Sequence, residues 1–331
     1  MYKNQKFTVS VAPMMDWTDR HCRWFHRQLT SKALLYTEMV VADAIIHGPR
    51  ERLLSYAPVE HPIALQIGGS DPQKLIQATQ IADHYSYDEI NINIGCPSDR
   101  VQSGAFGACL MNDPDLVANC YEAMQGATDT PVTVKCRLGV DDQEVEKTLP
   151  NFIQTVSQAG CKHFIIHARK AWLKGLSPKE NRDVPPLDYE LVCQMKALFP
   201  DLEIVLNGGL QDIHIGIEET QILDGFMLGR AAYNNPWILT QLDETVYGAD
   251  AFTRSRYDIV EGLIEYTARI ETQDQSTKAI IRHIMGLFLG QKGARVWRRA
   301  LSEGLASGLP PSAIIAQARD KISEMQNMAA A

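Results

Sequence analysis

Eight short β-rich runs recur along the first 230 residues, and nothing else in the chain constrains its fold as strongly. They are FTVSVAP (7–13), ALLYTEM (33–39), PIALQIG (62–68), EININIG (89–95), PVTVKCR (131–137), HFIIHAR (163–169), EIVLNGG (203–209) and GFMLGR (225–230). The segments between them are long enough for helices. DPQKLIQATQIADHY (71–85) and NDPDLVANCYEAMQ (112–125) combine helical apolar spacing with an Asp-Pro entry, a helix-start signal. Strands alternating with helices imply a parallel sheet covered on its faces, and eight units in succession favour closure over an open doubly wound sheet. The expected fold is therefore α/β: a (β/α)8 TIM barrel over residues 1–245, followed by a smaller all-α helical bundle over 246–331. The boundary is placed near ETVYGADAFTRSR (244–256), where glycine and small residues interrupt the pattern.

Polar side chains gather at the C-terminal tips of these runs: Asp16 after Met14 and Met15, then Glu38, Gln66, Asn91, Asn93, Lys135, Arg137, His167, Arg169, Asn207 and Arg230. Such residues are costly inside a barrel unless they act, and barrel active sites sit at that end. Runs seven and eight end in Asn207-Gly208-Gly209 and Gly229-Arg230. Glycines there let backbone N–H groups approach an anion and Arg230 adds a charged fork, so this corner is a candidate phosphate seat. Gln66, Lys135 and His167 would point inward from runs three, five and six. An amide, an ammonium and an imidazole suit the carbonyls and ring nitrogens of a flavin. No GxGxxG follows a strand, so a Rossmann dinucleotide site is not expected.

The run NINIGCPSDRVQSGAFGACLM (91–111) delivers Cys96 into a Gly-Cys-Pro turn. A thiol there could be packing, a metal ligand, a nucleophile or a proton donor. The seven cysteines are odd in number, widely spaced and lack a CxxC, which argues against a disulfide framework or a zinc site and for a reducing, cytoplasmic setting. No leader-like apolar stretch and no eighteen-residue apolar run appear, so neither a signal peptide nor a membrane partner is expected. Net charge is −8, yet residues 250–331 hold 11 Lys/Arg against nine Asp/Glu. From Lys278 to Arg299 there are six basic residues and no acidic one, a pattern suited to a polyanion. Lys278 and Arg282 are spaced for one helix face, as are Lys292, Arg295 and Arg299; Arg298 lies among them. Trp297 is expected to be packed core. The loop 169–186 is basic and proline-punctuated, with Lys170, Lys174, Lys179 and Arg182 as further candidates to face a polyanion.

VAPMMDWTDRHCR (11–23), LLYTEMV (34–40), ALQIGGSDP (64–72), EININIGCPSDRVQSGAFGACLM (89–111), VTVKCRLGVDD (132–142), FIIHARKAWLKGLSPKENRDVPPLDY (164–189), VLNGGL (205–210) and GFMLGRAAYNNPW (225–237) together resemble the tRNA-dihydrouridine synthases. The stretch after run six points to the A-type subfamily, and the resemblance runs from about residue 7 to residue 303. It implies an FMN-bound barrel, a C-terminal helical domain that holds tRNA, and NADPH-driven reduction of D-loop uridines at positions 20 and 20a. Carried over by position, it implies that Pro13, Met14, Met15, Gln66, Lys135, His167, Asn207, Gly208, Gly209, Gly229 and Arg230 hold FMN. It makes Cys96 the catalytic acid, and Asn93, Lys179 and Arg182 tRNA contacts beside Arg295, Arg298 and Arg299. Reducing the uracil double bond needs a hydride from one face and a proton from the other, and an ordinary thiol, of pKa about 8.5, can donate that proton. On this reading Cys96 is a general acid presented on a flexible lid, no metal is needed, and the protein works as a monomer. Cys109, in the same segment, is a competitor for the role of acid, although GACLM (107–111) looks like the start of a packed helix; Cys22, Cys120, Cys136, Cys161 and Cys193 are read as packing.

Three other readings share parts of the pattern. A dihydroorotate-type flavin oxidoreductase would need no basic helical domain. A non-catalytic tRNA-binding protein would need neither the phosphate seat nor Cys96. A barrel aldolase or isomerase would use Lys135 as a Schiff-base lysine.

Overall fold

Each of the eight runs forms a strand whose ends fall within two residues of the expected bounds. The structure, a computed structural model, describes residues 7–98, 101–102, 104–273 and 277–328. Asp99, Arg100 and Ser103 of the run around Cys96 lie outside these. The strands are β1 (Thr8–Val11), β2 (Leu34–Val41), β3 (Ile63–Gly68), β4 (Glu89–Ile94), β5 (Val132–Arg137), β6 (His163–His167), β7 (Glu203–Asn207) and β8 (Gly225–Leu228). All pair in parallel and in sequence order, and β1 closes on β8 through pairs such as Val9 with Phe226. Gly225 permits that closure: its φ is +157°, and a Cβ there would meet the Thr8 carbonyl oxygen at 2.0 Å.

The expected helices are present over Pro72–Asp83 and Pro114–Gln125. Asp71 and Asp113 cap them, each side chain accepting from backbone N–H groups of the first turn. Buried residues such as Leu75 and Ala78 on the first, and Val117 and Met124 on the second, provide the inward faces. Inside the barrel Ala12, Tyr36, Ala64, Ile165, Val205 and Met227 form an apolar cluster. Two residues further along β3, β6 and β7 come Gln66, His167 and Asn207, which the period-two alternation places on the same inward face.

The chain divides into two compact units, and the division differs from the boundary expected at 245/246. One unit is Met1–Asp16 with Ala33–Gly229; the other is Trp17–Lys32 with Arg230–Ala331. The N-terminal segment joins the second unit because its side chains find their partners there. Trp17 stacks on Tyr233 with centroids 4.2 Å apart, Trp24 stacks on Tyr266 at 3.9 Å, and Asp19 accepts from His283 Nε2 at 3.0 Å. Thr30 and Ser31 hydrogen-bond Asp243. The second unit is helical, with helices that include Arg20–Arg27, Arg256–Glu271, Lys278–His283, Ala294–Gly304 and Pro311–Met328. Among the described residues no helix is long and apolar enough to cross a membrane.

Candidate active site

Strand register sets the site. Gln66 pairs with Asn91, Asn93 with Lys135, Arg137 with His167, and His167 with Asn207. The C-terminal halves of β3 to β7 therefore bring an amide, an ammonium, a guanidinium and an imidazole to one end of the barrel, the end used by barrel enzymes.

Lys135 Nζ donates to Asn207 Oδ1 at 2.9 Å, and Asn207 Nδ2 donates to the Met227 carbonyl at 2.7 Å. Burial, with the nearby Arg137 charge, pushes Lys135 down to about 7. Burial and the charges of Arg137 and Lys135 push His167 well below its ordinary value, so its imidazole is neutral. His167 Nδ1 is buried and lacks a hydrogen-bond partner among the described residues. Such an orphaned atom calls for a ligand. Gly208, at φ +109°, lies under the same ring: a Cβ there would meet His167 at 3.1 Å. A Cβ on Gly229 would meet nothing within 4 Å, so space remains at the tip of β8. A neutral imidazole with a free nitrogen, a titratable ammonium and open glycine backbone suit a heterocycle bearing carbonyls and a phosphate.

Gln66 is 1% exposed, and both ends of its amide already have partners: Nε2 donates to Asn91 and Oε1 accepts from Asn93. One amide hydrogen remains for a cofactor edge. Pro13 and Met14 are half-buried beyond β1, Met15 is exposed, and Gly209 has φ +72°. Arg230 opens the short helix Arg230–Asn234 and falls in the second unit.

Cys96 is half-buried, and hydrogen bonds tie its turn to β4 and to the segment that follows. Its N–H donates to Asn93 Oδ1 at 3.0 Å and its carbonyl accepts from Ala108 at 2.9 Å. Gly107 makes the second contact possible: at φ +76°, a Cβ there would lie 2.6 Å from the Cys96 oxygen. The thiol is near enough to Lys135 and Arg137 to act on both electrostatically. Cys109, the other thiol of this segment, faces the Phe106 carbonyl at 3.1 Å, and burial raises its pKa. Cys22, Cys120, Cys136 and Cys161 are buried and Cys193 is half-buried.

Three residues organise the rim, and of these only Arg137 is among the strand-tip side chains evident in the sequence. Asn181 is fully buried in the loop after β6; its side chain accepts from Trp172 N–H at 2.7 Å and donates to the carbonyls of Trp172 and Leu176. Arg137 joins that loop to the Cys96 turn, donating to Asn181 O at 3.0 Å and Gly95 O at 3.1 Å. Gln102 Nε2 bridges Pro97 O and Leu173 O, both at 2.8 Å. In the sequence Asn181 shows only as an asparagine within a basic, proline-punctuated loop. Around it, Lys174 and Lys179 are exposed and Arg182 is half-buried.

In the second unit, Arg295, Arg298 and Arg299 are exposed on the helix Ala294–Gly304. Lys292 does not share that helix, contrary to the spacing argument, because Gly293 at φ +92° precedes its first turn. Arg299 pairs with Glu303 at 2.6 Å, an acid just beyond the basic run. Trp297 is fully buried and donates to the Ile284 carbonyl at 3.0 Å, as expected of a core residue.

Fold and site together define a closed parallel (β/α)8 barrel whose polar, glycine-lined mouth carries a thiol. The dihydrouridine synthase family profile matches residues 10–320. The chain is 55% identical over 296 residues to a tRNA-dihydrouridine(20/20a) synthase of Xanthomonas campestris pv. campestris, covering 89% of this chain and 88% of that protein. It is 50% identical over 315 residues to the protein of the same name from Vibrio cholerae, with 95% and 96% covered. Against one from Synechocystis it is 51% identical over 304 residues, with 91% of each covered. Among solved structures, morphinone reductase superposes with a TM-score of 0.51 at 12% identity, covering 76% of this chain and 88% of that one. An old yellow enzyme homologue from Zymomonas mobilis gives the same score and identity, with 72% and 88% covered. At that identity the structures bear on the fold alone, and they agree with the barrel. The chain belongs to the dihydrouridine synthase family.

Proposed function

We propose that this protein is an FMN-dependent tRNA-dihydrouridine synthase that reduces uridines 20 and 20a of the D-loop, drawing electrons from NADPH and working as a monomer in the cytoplasm. The observation that carries the reading is the anchored Cys96 turn at the same barrel end as Lys135 and the orphaned His167 nitrogen. Family membership supplies the reaction class, and the names of the relatives supply the positions.

Gln66, Lys135 and His167 would hold the flavin ring by its polar edge, with Pro13, Met14 and Met15 beside it. Asn207, Gly208, Gly209, Gly229 and Arg230 would take its phosphate. Held there and reduced by NADPH, FMN would supply hydride chemistry for one carbon of the uracil double bond. Cys96 Sγ holds the proton that goes to the neighbouring carbon, from the opposite face. Lys135, brought to about 7 by burial, could hold or release a proton beside the bound ring. Asn93 would meet the base.

The target uridine must leave the tRNA stack, at a cost of a few kcal/mol. Phosphate contacts offset it; Lys179, Arg182, Arg295, Arg298 and Arg299 are the proposed donors. A lysine of pKa about 7 would also suit Schiff-base chemistry, but membership in this family weighs against an aldolase and against a small-molecule pyrimidine oxidoreductase.

The test is nucleoside mass analysis of tRNA from cells lacking this gene, complemented with wild type or Cys96→Ala. Dihydrouridine lost at 20 or 20a and restored only by wild type is the expected result. Unchanged dihydrouridine in a strain with no second synthase for the site would overturn the proposal.

A further inference from the structure

A hydrogen-bond chain runs through the barrel interior from the start of β4 to the turn bearing Cys96. Glu89 opens β4 and is 6% exposed. Its carboxylate accepts from the Tyr36 hydroxyl and from Thr133 Oγ1, the latter at 2.7 Å. Thr133 spends its one hydroxyl hydrogen on Glu89, so its oxygen receives Asn91 Nδ2, at 2.8 Å. Asn91 Oδ1 then accepts from Gln66 Nε2 at 2.8 Å, and Gln66 Oε1 from Asn93 Nδ2 at 2.7 Å. Asn93 Oδ1 is left for the N–H groups of Gly95 and Cys96, at 3.1 and 3.0 Å.

The chain has one polarity. An isolated amide can turn over and exchange donor for acceptor, but both ends forbid it here. A carboxylate only accepts and a backbone N–H only donates, and both ends dictate the same direction through every link. Reversing a single amide would set N–H against N–H where Asn91, Gln66 and Thr133 are at most 2% exposed, leaving buried polar groups unpaired. The chain is also confined to one sector. The layer that Ile165, Val205 and Met227 form with Ala12, Tyr36 and Ala64 is apolar, the filling usual in a barrel.

We infer that Glu89, Thr133 and Asn91 are positioning residues for the proton donor. They hold Asn93 with its carbonyl oxygen toward the Gly95 and Cys96 amides, and so fix the turn that aims Sγ. The inference rests on the reading of Cys96 as the acid, and it assigns roles to residues at the far end of the barrel.

Amide hydrogen exchange on the full-length protein tests it without relying on turnover. Thr133→Val removes the link while keeping the shape, and Thr133→Ser keeps the hydroxyl. Exchange at Gly95 and Cys96 should quicken about tenfold in Thr133→Val, with β7 and β8 unchanged, and stay near wild type in Thr133→Ser. Alkylation of Cys96 by iodoacetamide and dihydrouridine formation on tRNA should follow the same order. Asn91→Leu breaks the chain one link higher and should give the same local effect, which covers a failure of Thr133→Val to fold. Equal exchange in the two Thr133 variants, or loosening spread evenly round the barrel, overturns the inference. Full activity in Cys96→Ala overturns the reading of Cys96 as the acid instead, whatever the exchange shows.

Discussion

Lys135 of β5 and Asn207 of β7 are joined across β6 by a 2.9 Å hydrogen bond, with His167 on the strand between them. The bond satisfies one proton of an ammonium that burial has brought to about 7, so its charge is available to a ligand near neutrality.

That value predicts how cofactor binding depends on pH. A bound anionic ring or phosphate favours charged Lys135. Above about pH 7 free Lys135 is neutral and must take up a proton on binding. Affinity for FMN should therefore fall as pH rises from 7.5 to 9, by up to about tenfold per unit. The FMN phosphate does not titrate there. Flavin-fluorescence titrations should show this slope in wild type and lose it in Lys135→Met.

Gly208→Ala places a methyl against the His167 ring at 3.1 Å and forces an L-residue to φ +109°. The ring must shift or the backbone must strain, at roughly 1–3 kcal/mol. The purified variant should fold with a markedly lower flavin-to-protein ratio. An unchanged ratio would remove this corner from the cofactor site.

Cys96→Ala should leave flavin reduction by NADPH intact and slow the oxidation of reduced enzyme by tRNA by roughly 10²–10⁴, the usual worth of a general acid. Stopped-flow absorbance separates the two half-reactions. Cys109→Ala should slow neither by more than about twofold, because its thiol is occupied with the Phe106 carbonyl.

Asn181→Ala removes a side chain that ties Trp172 and Leu176 to the loop after β6. Leaving buried backbone groups unpaired should cost roughly 1–3 kcal/mol in denaturant unfolding. If Lys179 and Arg182 contact tRNA, its KM should rise more than kcat falls.

Acid should weaken the second unit in two windows. Burial pushes His26 down to about 3, so the unfolded chain binds a proton first and stability falls as pH drops from 6.5 toward 3. Burial would raise Asp19, but the hydrogen bond and charge of His283 bring it down to about 2. Its contribution is complete above the unfolded value near 3.8 and disappears as pH falls through about 2. Denaturant midpoints measured against pH should show both declines, and His26→Gln should remove the upper one.

The strand count, the direction of closure and the rim residues could be read from the chain because they rest on local periodicity. A strand tip is defined by neighbours in sequence, and so is the Asp-Pro start of a helix. Cys96 directly follows such a run, and Lys135 and His167 lie near the ends of theirs, so all three are legible in the sequence. The division of the chain could not be read that way. Trp17, Asp19 and Trp24 sit between β1 and β2 in sequence, yet their partners Tyr233, His283 and Tyr266 are more than 200 residues away. Lys292 fits a helical spacing that Gly293 interrupts, a choice of backbone conformation that spacing does not report.

The sequence by itself determined a parallel eight-stranded barrel with a thiol and polar groups at one rim, because hydrophobic alternation and turn chemistry act between near neighbours. Only the tertiary structure decided what each polar group is bonded to. It set Asn181 at the centre of its loop, left His167 Nδ1 unsatisfied and gave the Glu89-to-Cys96 chain its single direction. Hydrogen-bond polarity belongs to strands brought side by side, and no residue carries it alone.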